Sequence, residues 1–188
     1  ALQKNKAVTP VDIHFLFTVG EEVGVGASSI LVDEVASMIA IDNGTTAPGQ
    51  NSDEFGVTIA MADQTGPFDY HLTKKMVELC QENEIRYQKD IFRYYQSDSA
   101  SALTAGADVR TALVAFGVDS SHGYERIHLH ALRSLAELVT AYVRSPVEIK
   151  SDFEHTLHGT KGFTKQSLGR AEQELSPDVE DEQLGPQT

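Results

Sequence analysis

Hydrophobic positions recur along the chain in two alternating styles, short dense runs and longer stretches spaced at helical intervals. The first dense run is Asp12 to Val19, DIHFLFTV, rich in β formers and expected as a buried strand. Gly20 to Gly26 is punctuated by glycine and predicts a turn, and Ala27 to Ala36 is small and aliphatic and suits a buried helix. Met38 to Ile41 is a second strand ending at Asp42. Asn43 to Glu54 has the Asn-Gly and Pro-Gly chemistry of a loop, and Val57 to Ala62 is a third strand. From His71 to Glu84, Leu72, Met76, Leu79 and Cys80 fall on one face at intervals of three and four, which predicts a helix. Arg86 to Phe92 reads as a strand and Ser99 to Ala105 as a short helix. Thr111 to Val118, TALVAFGV, is the clearest buried strand, and Leu129 to Val143 is an amphipathic helix. Strands alternating with helices predict a layered α/β fold, in which ligands gather at the carboxyl ends of strands.

The pattern fades after the last helix. From Ser145 onward there are nine acidic and four basic residues with scattered apolar positions. The expected organisation is a domain over residues 1–146 and an acidic, flexible tail over 147–188. Net charge is −13, which disfavours nucleic acid as a partner. No apolar run reaches the length of a membrane span. One cysteine, Cys80, permits no internal disulfide, which fits a reducing compartment, and the expected location is cytoplasmic. No signal peptide or initiator Met opens the chain, which reads as a processed or truncated product.

Three polar clusters follow strands. Glu21 and Glu22 leave the first run as adjacent carboxylates. Adjacent residues on a regular strand face opposite ways, so both can serve one site only if the backbone turns, which Gly20 and Gly24 permit. Asp42 ends the second run and can ligate a metal or cap a turn. His122 lies in a glycine-containing loop after the strongest strand, where a zinc ligand is well placed; His128 competes but stands at a helix start, where it would cap. Taken singly, each cluster is more readily a solvated pair, a turn cap or an exposed histidine than a functional group. Asp98 is expected to N-cap the short helix, and Cys80 to face the core. His14, His71, His130, His155 and His158 lack ligand-spaced partners. GEEVGVG carries neither the lysine of a P-loop nor the GxGxxG spacing, and its glutamates would repel phosphate.

The order of the clusters is more specific than any one of them. FTVGEEVGVGAS, then IAIDNGTTAPG, then VTIAMADQTGPFDYHLTKKMVELC, and late in the chain LVAFGVDSSHGYERIH, resemble the glutamyl and tetrahedral aminopeptidases, a family of two-metal peptidases also labelled endoglucanase M. The likeness runs from about Val11 to Val143. It implies the mixed, layered αβα sheet of a zinc aminopeptidase, incomplete on its N-terminal side. It further implies Glu21 as general base, with Glu22, Asp42 and His122 as metal ligands. Two divalent ions are implied, zinc or else cobalt or manganese, together with peptide substrates and a homo-oligomer. The family's earlier His-x-Asp motif and bridging Asp precede the Glu-Glu pair and have no match here, and the aromatic residue before the family's His is replaced by Ser120-Ser121. The chain alone is therefore expected to bind metal weakly or at one site, unless a further segment completes it. Two other functions fit parts of the pattern: a glycosidase using Glu21 and Asp42, which the 7% aromatic content without Trp opposes, and a non-catalytic α/β module.

Overall fold

In the computed structural model, residues 8–29 and 35–146 are described. Their elements are a single 3-10 turn at Glu21–Val23, β1 Ser37–Thr45, β2 Val57–Asp63, β3 Gly66–Pro67, α1 Tyr70–Glu82, β4 Tyr87–Ile91, α2 Asp98–Thr104, β5 Arg110–Asp119, β6 Arg126–Ile127 and α3 Leu129–Arg144. The expected acidic tail over 147–188 lies outside the described residues, as do residues 30–34 of the helix expected over Ala27 to Ala36.

The sheet is mixed. β1 runs parallel to β5 in unbroken register from Ser37 opposite Arg110 to Thr45 opposite Val118. β5 pairs on its other side with β2, antiparallel, and β2 pairs with β4, parallel. β3 folds back on the end of β2, and β6 on the end of β5. Alternation along the central strands divides the core between two faces. Val57, Ile59, Ala112 and Val114 point to the face packed by Leu72, Met76, Leu79 and Cys80 of α1 and Leu135 and Leu138 of α3. Ala60, Leu113 and Ala115 point the other way, with Ala40, Phe68 and Phe92. This is the layered α/β arrangement that the alternating pattern predicts.

Both long helices begin at side-chain caps. Asp69 accepts from the Leu72 amide at 2.8 Å and also holds Arg110 at 3.0 Å. His128, at the start of α3, accepts from the His130 amide at 3.2 Å through Nδ1, so the histidine that competed for a ligand role has the capping role. α1 ends in a paired closure: the Ile85 amide reaches back to Cys80 O at 2.9 Å and the Glu84 amide to Gln81 O at 3.4 Å. Glu84 occupies the left-handed position there with φ 54°, where glycine is usual. Cys80 is fully buried, and the surrounding core pushes its thiol up to about 12.

Two expectations are corrected. Asp12 to Val19 forms no strand, and Phe15, Phe17 and Val19 are 65%, 89% and 101% exposed. An apolar run becomes a strand only beside another strand, and none of the described strands pairs with it. Asp42 does not end its strand; β1 continues three residues further, to Thr45. The continuation follows β5, whose register carries β1 to Val118. No helix among the described residues is long and apolar enough to cross a membrane.

The packing predicts unequal costs. Leu138, with no exposed surface on α3, should lose about 2–5 kcal/mol of stability on truncation to Ala, measured by urea unfolding. Glu84→Gly should gain about 0.5–1 kcal/mol in the same assay by relieving the left-handed backbone; a loss there would show that the Glu84 side chain stabilises the helix end.

Candidate active site

The Glu21–Glu22 pair needs a turn to act together, and the chain makes one. Glu21–Val23 is a single 3-10 turn closed by Gly24 at φ 75°, with the Gly24 amide on Glu21 O at 2.8 Å and the Val25 amide on Gly20 O at 3.1 Å. The positive φ at Gly24 explains why glycine stands there.

Asp42 enters from the sheet. It shares a face of β1 with Ala40 and Gly44, the face that carries Phe92, and it accepts from the Asn43 amide at 2.7 Å. His122 enters from the tip of the β5–β6 connection. That tip is tied down at its base by Arg126 on Asp119 at 2.9 Å, and the His122 amide donates to Glu125 Oε1 at 3.1 Å. Ser121 Oγ reaches Asn43 Oδ1 at 3.4 Å, linking the loop to β1 next to Asp42. Ser120 and His122 both hold left-handed backbone, at φ 75° and 56°. The His122 Nδ1 stands 3.6 Å from Glu22 Oε2, with both side chains largely exposed.

Four residues from three separate segments of the chain therefore occupy one region, and their charges act on one another. Burial pushes the Glu21 carboxyl above its ordinary value, with Asp42, Glu22 and Asp98 adding to the rise and His122 opposing it. Burial likewise raises Asp42, against the Asn43 amide that lowers it; Glu22 and Asp98 raise it further and His122 lowers it. Carboxylates held together without a cation have this signature.

Asp98 is the member that the sequence did not announce. Ser97 takes the expected N-cap role, accepting from the Ser99 amide, and Asp98 becomes the first residue of α2. Its carboxylate instead accepts from Thr18 Oγ1 at 2.6 Å. A signal was present: Ser97 and Asp98 are adjacent residues of capping type, and one helix end needs only one cap.

The donor types suit a divalent metal, with carboxylates and an imidazole side by side, and the upward shift of Glu21 and Asp42 is what a nearby cation would reverse. The expected ligand set does not converge, however. Among the described residues, no group of three or more His, Cys, Asp or Glu side chains could hold one ion. Glu22 and His122 touch, while Asp42 interacts through its charge. Both Glu22 and His122 are solvent-exposed, so nothing packs them toward Asp42.

Sequence and fold define the class to which this site belongs. Residues 1–138 match the M42 glutamyl aminopeptidase family, and the chain belongs to it. Among curated proteins it is 38% identical over 146 residues to YhfE of Bacillus subtilis, a candidate aminopeptidase; the match covers 78% of this chain and 42% of YhfE. The fold is similar to that of a TET aminopeptidase from a marine sediment thaumarchaeote, with TM-score 0.62 and 15% identity over 87% of this chain and 46% of that one. It is also similar to aminopeptidase APDkam598 of Desulfurococcus kamchatkensis, with TM-score 0.60 and 21% identity over 69% of this chain and 40% of that one. The chain thus spans less than half the length of these relatives.

The shifted carboxylates yield a pH prediction. A carboxyl raised in the folded state contributes most stability below its unfolded pKa and loses that contribution as pH rises through the folded value. In the metal-free chain, Asp42→Asn keeps an acceptor for the Asn43 amide and removes the charge. It should raise the melting temperature at pH 7, and the gain should shrink as pH falls toward the ordinary carboxylate range. A gain independent of pH would place its origin outside this charge cluster.

Proposed function

We propose that this chain carries part of the catalytic apparatus of a metal-dependent aminopeptidase, with Glu21 as general base and Glu22, Asp42 and His122 as metal-holding side chains. The single observation that carries it is the gathering of Glu21, Glu22, Asp42 and His122 into one mutually interacting group, in a chain of the M42 family. Glu22, Asp42 and His122 would hold a divalent ion, zinc by preference with cobalt or manganese as alternatives, once further ligands complete the site, and it would supply Lewis acidity. The protein's own part is proton handling. Glu21, whose proton affinity burial and the neighbouring carboxylates raise, takes a proton from the attacking water and returns it to the leaving amine. The Glu21–Val23 turn keeps base and ligand adjacent, so Glu22 fixes the position from which Glu21 acts.

The substrates are peptides with a free N-terminus. A homo-oligomer is proposed because a related TET1 peptidase of Pyrococcus horikoshii can assemble into a tetrahedron or a large octahedral shell; its 21% identity supports a common fold and leaves assembly here to experiment. A cytoplasmic location, and the division into a catalytic part over 1–146 and an acidic segment over 147–188, belong to the same proposal. The incomplete convergence of the donors supports weak or single-site binding by this chain alone, with the remaining ligands supplied from elsewhere.

Elemental mass spectrometry after dialysis against micromolar zinc tests the proposal directly. About one ion per chain is expected, rising toward two where further ligands are supplied. Where hydrolysis of aminoacyl p-nitroanilides is measurable, Glu21→Gln should lower kcat by about 10²–10⁴-fold while zinc content holds. Absence of both metal uptake and hydrolysis would overturn the proposal, and hydrolysis of a glycoside that survives chelation would replace it with the carboxylate-pair alternative.

A further inference from the structure

Both ends of the loop that bears Glu21 and Glu22 are fastened to one short helix. On the upstream side, Thr18 Oγ1 donates to Asp98 Oδ2 at 2.6 Å. On the downstream side, the Ala27 amide donates to Ser101 Oγ at 3.1 Å, and that hydroxyl donates in turn to Asp98 O at 2.9 Å. Between them Gly26 lies under the Asp98 carboxylate, so close that an added Cβ would stand 2.0 Å from Oδ1. Ala27 is only 2% exposed, the one fully buried residue among the described residues 8–29.

We infer that Asp98 is a positioning residue: through Thr18 and Gly26 it latches the Glu21–Glu22 turn to α2 and so sets where the two carboxylates stand. Its meaning for metal binding rests on the aminopeptidase proposal, whereas the latch itself does not. A hydroxyl on an ionised carboxylate makes one of the stronger hydrogen bonds available to a side chain, and 2.6 Å is in the range of that type. The loop needs such an anchor. It has no strand partner, its internal hydrogen bonds span only residues 20–28, and its flanking apolar side chains are exposed. Ser97 already caps α2, which leaves the Asp98 side chain available to turn away from the helix and hold the loop. Glycine at position 26 is then explained by close approach, since any side chain would displace the carboxylate.

The test pairs residue-resolved amide exchange on the metal-free full chain with calorimetric titration of zinc chloride. Thr18→Val removes the donor at nearly constant shape, Thr18→Ser keeps it, and Gly26→Ala pushes Asp98 aside while leaving Thr18 intact. The expected result for Thr18→Val and Gly26→Ala is exchange about tenfold faster at the Gly24, Val25 and Ala27 amides, with β5 amides unchanged. Zinc affinity should fall about tenfold in the same variants, the effect of losing an outer support of a ligand. Thr18→Ser should stay within about twofold of the parent in both measurements. Unchanged loop exchange in both disruptive variants would overturn the latch, and faster exchange with unchanged zinc affinity would overturn its positioning role. If the parent chain takes up no zinc and shows no hydrolysis, the aminopeptidase proposal fails, and the exchange measurement alone decides whether the latch exists.

Discussion

The pairing of β1 with β5 is the constraint from which the rest of the arrangement follows. β5 lies between β1 and β2 and is buried almost throughout. It therefore has to satisfy its backbone groups on both sides with other strands. Parallel register with β1 fixes Asp42 opposite Ala115 and makes the end of β1 coincide with the end of β5. The loop that carries His122 begins where β5 ends, so the same register sets Asp42 and His122 at related heights on the sheet. The Thr46 amide and hydroxyl both bond to Val118 O, at 2.9 and 3.0 Å, and lock that end of the pair. Gly117 is part of the constraint: an added Cβ would stand 2.0 Å from Asp53 O, so the β1–β2 connection crosses the strand only because that residue is glycine.

Elements that bury their own faces were legible in the sequence. α1, α3 and β5 fell within a residue or two of expectation, because their apolar periods are long and their partners lie within the chain. DIHFLFTV was misleading for a physical reason. Its composition favours a strand, but a strand is a property of a pair, and the chain holds no described partner for it. The end of β1 was placed three residues short, at Asp42, since the apolar run stops there while the backbone ladder with β5 continues to Thr45. The association of Glu21, Glu22, Asp42 and His122 could not come from local chemistry, which left each of them equally at home in a cap or a solvated loop. It came from their order along the chain, and the geometry then brought them into mutual electrostatic range. Asp98 escaped because capping preference is a one-body rule, whereas its hydrogen bond to Thr18 joins residues far apart in sequence.

Departures from local good practice are unevenly distributed, and their distribution bears on function. Sequences that fold well agree with their structures at every level, and persistent conflicts collect where selection acts on something besides stability. Among the described residues, three other than glycine hold positive φ. Glu84 is accounted for by the helix closure in which it sits, with its neighbours Cys80 and Ile85 packed in the core. Ser120 and His122 have no such helix to end; each left-handed backbone costs roughly 1 kcal/mol or more, and the two together aim the His122 imidazole toward Glu22. The gathered carboxylates are a second conflict in the same place, raising the proton affinity of Glu21 and Asp42 without a cationic side chain among the causes except His122. Elsewhere three carboxylates are matched with arginine, Asp53 with Arg86, Asp69 with Arg110 and Asp119 with Arg126, and the buried Asp90 is held by the Asn51 and Ser52 amides. Around Glu21 and Asp42, by contrast, the charged neighbours are mostly other acids, and the histidine that opposes them sits on left-handed backbone, so like charge and backbone strain coincide there. A cation bound among these side chains would offset their mutual repulsion.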